Sequence, residues 1–338
     1  MAARPKLSIR LHGGIPPALC VERARMAEAA GFHGVWFAEN PFARGVLPAA
    51  AAAAAVTERV LIGPGVFNPF NRHPSLMAME IGALDELSQG RARLGIGAGI
   101  AGAVERMGFE YKRPLGAVRD AVTIVRGLLA GEEVTHAGRS FAAKAIRLDY
   151  PARRDIPIFM AGRGEQSLKL CGELADGLLV SNMCTPAFVA RASATVAGAM
   201  RAAGRQGLPQ IVQYLPVAAR LDRTDAVRAA KAAIGEMLPG YWATGKRLPA
   251  ARDAMLDGSG ISEAEFETAA ERLRRGEAPD VVLDDRFVAA FAIAGTAQDC
   301  LAQAAERASL GVTELALTFA GPGAAEEMQS LGAAAGPG

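Results

Sequence analysis

Cysteine, histidine and aromatic side chains are all scarce in this chain of 338 residues, which has four cysteines, four histidines and 6% aromatics. Cys20, Cys171, Cys184 and Cys300 stand far apart, with no CxxC pair. That spacing excludes a disulfide framework and a structural zinc site, so no metal is expected and a reducing cytoplasm is. Long apolar runs are missing too. The opening MAARPKLSIRLHGG has no apolar core of signal-peptide length, and the alanine run 49–55 is too short to cross a bilayer, so neither export nor membrane insertion is expected. Charge of one sign is nowhere concentrated: 37 basic and 35 acidic residues are interspersed and leave a net +2. The one-sided field that nucleic acid or an anionic membrane surface needs does not arise, and both are set aside as partners.

What the chain has is apolar content, 51% of its residues, enough to bury the core of one large α/β domain. Short apolar runs recur at 7–11, 35–38, 60–63, 93–97, 156–161, 178–181, 211–218 and 314–319, which predicts eight strands. The stretches between them, such as 17–30, 74–88, 115–130, 166–174 and 187–203, repeat apolar residues at three- and four-residue spacing, as helices packed on a sheet do. Alternating strands and helices make a parallel sheet, and eight strands predict a closed (β/α)₈ TIM barrel, one domain over 1–338. Gly31 and Gly90 stand where helices end and are expected in the left-handed conformation. Two segments exceed ordinary loops: 135–150 reads as a hairpin, and 238–294 as a helical insertion before the last strand, with helical patterns at 250–256 and 262–275.

In such a barrel the chemistry sits at the C-terminal strand ends. The first strand ends Arg10-Leu11-His12, where Arg10 and His12 share a face; they face either a substrate, or an internal ion pair and a satisfied core histidine. Glu39 closes the second strand, beside Asn40 and ahead of Pro41; it is either a functional acid or a salt-bridge partner. His73 reads as a cap or loop-packing residue. GAGIAG, 97–102, has the letters GxGxxG, but it follows the fourth of eight strands and Pro114 marks the next helix start, so it is not read as a dinucleotide fingerprint. Its glycines are expected to let a flat ring approach the barrel mouth without meeting a Cβ. AGRGEQS, 161–167, brings two glycines and Arg163 to the start of a helix, a suitable arrangement for a phosphate.

Together these motifs resemble the bacterial luciferase-like superfamily of flavin and deazaflavin oxidoreductases. AAGFHGVWFAEN, the run from TERVLIGPGVFNPFNRHPS to SQGRARLGIGAG, MAGRGEQSLKLCGELADGLLVSN and AGTAQDCLAQAAERASLGVTELALTF carry the resemblance over nearly the whole chain. Within it the third-strand and SQGRARLGIGAG segments look most like methylenetetrahydromethanopterin reductases and other coenzyme F420-dependent enzymes. The resemblance implies a homodimer joined through helices two and three. It also implies a bulge after the third strand, running to Asn68, with a non-prolyl cis peptide at Gly65-Val66 that backs the deazaflavin ring. Ala98-Gly99 and Asn40 would flank the cofactor, and Gly162, Arg163 and Gly164 with Ser181 would hold its phosphate. Glu39 would contact the cofactor head or handle a proton, and Arg10 and His12 would face the substrate. Where methanopterin reductases carry an acid on the first strand, this chain has Arg10. The activity implied is hydride transfer between C5 of F420 and a small organic or pterin-like substrate. The alternatives are a monooxygenase using reduced FMN and a non-catalytic ligand-binding barrel.

Overall fold

The computed structural model describes residues 4–319, 321 and 323–336. The chain begins with β1 (Lys6–His12), α1 (Pro17–Ala29), β2 (Gly34–Ala38), α2 (Leu47–Val56), β3 (Leu61–Pro64), α3 (Pro74–Leu87) and β4 (Leu94–Gly97). Next come α4 (Ala101–Arg106), α5 (Pro114–Leu129), β5 (Val134–Ala137), β6 (Ala142–Ile146), β7 (Ile158–Ala161), α6 (Glu165–Leu174), β8 (Gly177–Val180), α7 (Pro186–Ala202) and β9 (Gln210–Ala219). Then follow α8 (Arg223–Arg247), α9 (Pro249–Leu256), α10 (Glu263–Arg274), α11 (Pro279–Val282), α12 (Asp285–Phe291), β10 (Ile293–Gly295), α13 (Ala297–Ala308), β11 (Glu314–Phe319) and α14 (Ala324–Ala335).

Eight of these strands pair in parallel in the order β3-β2-β1-β11-β9-β8-β7-β4. The remaining seam, β3 to β4, is closed by four backbone bonds. Ile62 N–H reaches Arg91 O at 2.9 Å, Arg93 N–H reaches Ile62 O at 3.0 Å, Phe67 N–H reaches Gly95 O at 2.8 Å and Gly97 N–H reaches Phe67 O at 3.0 Å. The result is the expected (β/α)₈ TIM barrel, nearly closed, with its one irregular seam between residues 62 and 67. The eight predicted strands fall on the eight barrel strands, and β5 and β6 form the predicted hairpin, antiparallel and outside the barrel. Gly31 and Gly90 take φ +79° and +84°, as helix-ending glycines do.

Strand alternation sorts the side chains. Leu7, Ile9 and Leu11 of β1 turn outward into the apolar layer beneath the helices. Trp36, Phe159, Leu179, Val212, Tyr214 and Ala316 turn inward and fill the barrel. Glycine makes that filling possible on the β3 side: a Cβ on Gly63 would meet Trp36 at 2.6 Å and one on Gly65 would meet it at 2.9 Å. At the bottom of the barrel Arg93, 2% exposed, gives both terminal nitrogens to Glu314 at 2.6 and 2.8 Å. Trp36 Nε1 donates to the same carboxylate at 2.8 Å, and its ring lies 4.0 Å beneath the guanidinium.

Helices 8 to 12 bury a second apolar cluster, in which Trp242 stacks on Phe266 at 5.0 Å and Phe287 and Phe291 meet Phe266 edge-on. Helix α8 starts at Arg223 and runs straight through Leu238, so the helical segment after β9 opens earlier than the sequence pattern suggested. A second departure is α4, a six-residue helix that begins inside GAGIAG and precedes the one opened by Pro114.

Candidate active site at the barrel mouth

The C-terminal strand ends surround a cleft of about 600 Å³, within the range of small-molecule sites. Among the described residues its wall carries four charged side chains, Arg10, Glu39, Arg44 and Arg163. Asn40, Gly65, Val66, Asn68, Ala98, Gly99, Gly162, Gly164 and Ser181 also line it, so the structure gathers every candidate site residue there except one.

The exception is His12. Its Nδ1 accepts the Gly14 N–H at 3.1 Å, which commits the ring to the turn after β1, and it is not on the cleft wall. Burial, with Arg10 and Arg23 nearby, pushes its pKa down to about 4, so the ring is neutral at physiological pH. Its Nδ1 is satisfied within that turn, which fits the satisfied histidine of the two readings. His73 is a cap: its Nδ1 accepts the Ser75 N–H at 3.2 Å at the start of α3.

Glu39 stands at the end of β2 and its two oxygens receive Arg72 Nη1 at 3.1 and 3.0 Å. Arg72 also places Nε 2.8 Å from Glu80 of α3 and stacks on the Phe67 ring at 3.9 Å. One guanidinium is thus shared by two carboxylates, and its plane is fixed by an aromatic face. Burial raises the Glu80 pKa; the Arg72 charge opposes that rise and the Glu39 charge adds to it.

The peptide bond Gly65-Val66 is cis. It lies in the β3–β4 seam, with Gly65 N–H bonded to Phe37 O at 2.8 Å and Gly65 O receiving the Tyr214 hydroxyl at 3.3 Å. The strand-four glycines serve this bulge directly. A Cβ on Gly95 would meet Gly65 Cα at 2.9 Å, one on Gly97 would meet Val66 at 2.9 Å, and one on Gly99, at φ +73°, would meet Asn68 at 2.7 Å. They leave room for the bulge, which presents Val66 to the cleft, and Gly97 and Gly99 line the cleft beside it.

On the opposite wall Gly164 is the N-cap of α6, with no side chain capping the helix. Arg163 turns inward from this turn. Its Nη2 donates to Ser181 Oγ at 2.9 Å and to Asn182 O at 3.2 Å, its Nε points to Cys184 Sγ at 3.4 Å, and its guanidinium lies 5.5 Å from the Tyr241 ring. None of these partners is a carboxylate. Tyr241, on α8, also meets Ser181 Oγ at 3.2 Å, so the helical segment after β9 reaches the cleft.

Residues 2–314 match the family described as luciferase-like monooxygenase. The chain belongs to the luciferase-like monooxygenase family. Its relatives include the 5,10-methylenetetrahydromethanopterin reductase of Archaeoglobus fulgidus, 30% identical over 315 residues, covering 91% of this chain and 92% of the relative. The enzyme of the same name from Methanolobus tindarius is 29% identical over 295 residues, 86% of this chain and 87% of the relative. Among solved structures, the coenzyme F420-dependent tetrahydromethanopterin reductase from Methanopyrus kandleri superposes with a TM-score of 0.85 at 23% identity, covering 98% of both chains. The first two are reductases by name, and the last, F420-dependent by its own description, shares the fold of the luciferase-like chain.

Arg72, which holds Glu39, and Glu80, which shares that guanidinium, do not line the cleft but support it, and sequence reading missed them. The signal was present in FNRHPSLMAME, where an arginine precedes a helix and a glutamate follows two turns later. Its meaning depended on Glu39, 33 positions earlier. No helix among the described residues is long and apolar enough to cross a membrane, no group of side chains there could hold a metal ion, and all four cysteines are buried free thiols.

Proposed function

We propose that this protein is a coenzyme F420-dependent oxidoreductase acting on a small organic substrate. The observation that carries the reading is the pairing, across one cleft, of a rigid flat support and a cation without a carboxylate. Val66 and Gly65 form the support, backed by Gly95, Gly97 and Tyr214. Arg163 provides the cation, beside the uncapped N-terminus of α6. Both features fit the cofactor: an unpaired guanidinium and free helix N–H groups suit a phosphate, and a bulge held from behind suits the face of a fused ring. Relatives named F420-dependent glucose-6-phosphate dehydrogenase, 30% and 31% identical over 169 residues, favour the deazaflavin over FMN.

When bound, F420 supplies hydride exchange at C5 of its ring. The chain's own residues do the rest. Gly162, Arg163, Gly164 and Ser181 hold the phosphate end, Gly65, Val66, Asn68, Ala98 and Gly99 hold the ring, and Asn40 borders it. Glu39 holds or releases a proton at the ring edge, with Arg72 fixing where its oxygens lie. The segment after β9 closes the phosphate end through Tyr241, as one part of a single barrel domain. The protein works in the cytoplasm as a homodimer, through the face of α2 and α3 that leaves Leu76 and Met79 exposed.

Titration of the purified protein with F420 and with reduced FMN, followed by absorbance and fluorescence, tests the cofactor reading. Tight F420 binding with weak FMN binding is expected. Preference for reduced FMN, with oxygen consumption, would overturn it.

A further inference from the structure

Arg10 is a cation that the fold does not satisfy. It points into the barrel from β1, 5.2 Å from the Tyr214 ring, with Nη1 3.5 Å from Thr318 Oγ1 and a buried Nε that has no hydrogen-bond partner. Both neighbours are neutral. The one glutamate among the described cleft-lining residues, Glu39, has both oxygens on Arg72. Other arginines of the chain are better supplied: Arg93, whose Nε is likewise unpartnered, still meets a carboxylate, Glu314, through both terminal nitrogens, and the half-buried Arg91 donates to the carbonyls of Ala54, Thr57, Val60 and Ser88. A half-buried guanidinium with unused donors loses hydration without recovering it, so such a group persists where a ligand completes it.

Its place in the barrel separates it from the phosphate end. From β1 to β7 is four strands in either direction around the sheet, so Arg10 and Arg163 face each other across the mouth. Eight tilted strands about 4.8 Å apart enclose a barrel roughly 15 Å across, and the two guanidiniums are turned to different partners on it, Arg10 to Thr318 and the Tyr214 ring, Arg163 to Ser181 and Asn182 O. The Gly65-Val66 support follows β3, midway between them, and Glu39 closes β2, next to β1.

We infer that Arg10 is a second anion subsite and that the substrate is itself an anion, carrying a carboxylate or phosphate that Arg10 binds while its reacting carbon lies over the ring near Glu39. This rests on the cofactor reading above for the position of the ring, but not for the anion site itself. An acid on this strand would repel such a substrate; an arginine selects it.

The test uses wild-type protein, Arg10→Met and Arg10→Lys. Each is titrated with F420, and then, loaded and unloaded, with acetate and with inorganic phosphate, by fluorescence and calorimetry. The expected result is millimolar anion binding to wild type, weakened about tenfold or more in Arg10→Met and less in Arg10→Lys, with F420 affinity kept within about threefold. The better of acetate and phosphate identifies the group. Thermal stability of Arg10→Met equal to or above wild type is also expected, since an unsatisfied charge is removed. Anion binding that is absent from wild type, or unchanged in Arg10→Met, overturns the inference. Loss of F420 affinity with anion binding intact overturns it too and returns Arg10 to the cofactor. If no protein binds F420 but Arg10-dependent anion binding persists, the cofactor reading fails and the anion subsite stands.

Discussion

The barrel has an arginine inside each end, and the two ends treat it in opposite ways. At the bottom Arg93 is 2% exposed, bidentate to Glu314 and stacked on Trp36. At the mouth Arg10 and Arg163 have hydroxyls, a thiol, a carbonyl and tyrosine faces around them, but no carboxylate. At the bottom Arg93 has its counter-charge in Glu314; the mouth leaves positive charge over. A buried ion pair adds little to stability relative to an apolar pair, yet removing one partner is costly because the other stays buried and charged. An arginine without a partner has already incurred that cost, and removing it relieves the fold. The two ends therefore predict opposite signs for the same kind of substitution.

The largest effect is expected at the bottom. Glu314→Gln strands Arg93 and should lose about 3–5 kcal/mol of unfolding free energy, read from the denaturant midpoint. A loss below about 1 kcal/mol would mean that water or another group reaches Arg93, and the contrast between the ends would collapse.

Acid sharpens the comparison, because each end also holds a histidine whose pKa is pushed down to about 4, chiefly by burial: His12 at the mouth and His33 at the bottom. A base with a folded pKa below its unfolded value, about 6.5, leaves the unfolded state binding more protons. Stability should be level above about pH 7 and fall as pH drops from about 6.5 towards 4. Burial alone would raise the Glu314 carboxyl, but the Arg93 charge and its hydrogen bonds outweigh it and hold the group below its ordinary range, so its contribution is present at neutral pH and is lost on further acidification. Melting temperatures from pH 8 to 3 read both steps. A midpoint that rises between pH 6.5 and 5 would contradict the neutral state of both rings.

At the mouth, Arg163→Met should weaken F420 binding by about 10- to 100-fold, the worth of a charge-assisted phosphate contact, while the melting temperature holds or rises. Unchanged F420 affinity would remove Arg163 from the phosphate end.

How much of this contrast was legible beforehand differs by end, for a physical reason. Strand bounds and strand-end residues were legible because period-two and period-3.6 patterns are local; Glu39 and Arg163 followed from their positions along the chain, and the 65–66 bulge from the family resemblance. The bottom pair was not legible: Arg93 and Glu314 are 221 positions apart, and each reads alone as a charged residue at the start of an apolar run. Arg72 escaped for the same reason, since only the fold carries it to Glu39. The strand-four glycines were visible but their purpose was not, because what a missing Cβ makes room for is a matter of tertiary contact. His12 was placed on the correct strand end, but the Gly14 N–H that engages its Nδ1 belongs to the turn's geometry and could not be read from the sequence.

The smallest effect is expected from Tyr241→Phe, and it asks how far the segment after β9 takes part in the mouth. The hydroxyl meets Ser181 Oγ at 3.2 Å, and Ser181 in turn receives Arg163. Deleting it leaves the ring against the guanidinium and removes one neutral hydrogen bond at a half-buried site, a loss of about 0.5–1.5 kcal/mol. If that bond serves only the docking of α8, the loss appears in the melting temperature and F420 affinity is unchanged. If it orients Ser181 for the phosphate, F420 affinity falls by about two- to tenfold, and the double variant with Ser181→Ala is no weaker than Ser181→Ala alone. The cofactor reading requires the second pattern, because Tyr241 and Arg163 converge on the same hydroxyl from different elements, and a serine held from both sides presents its remaining lone pair or proton in one direction.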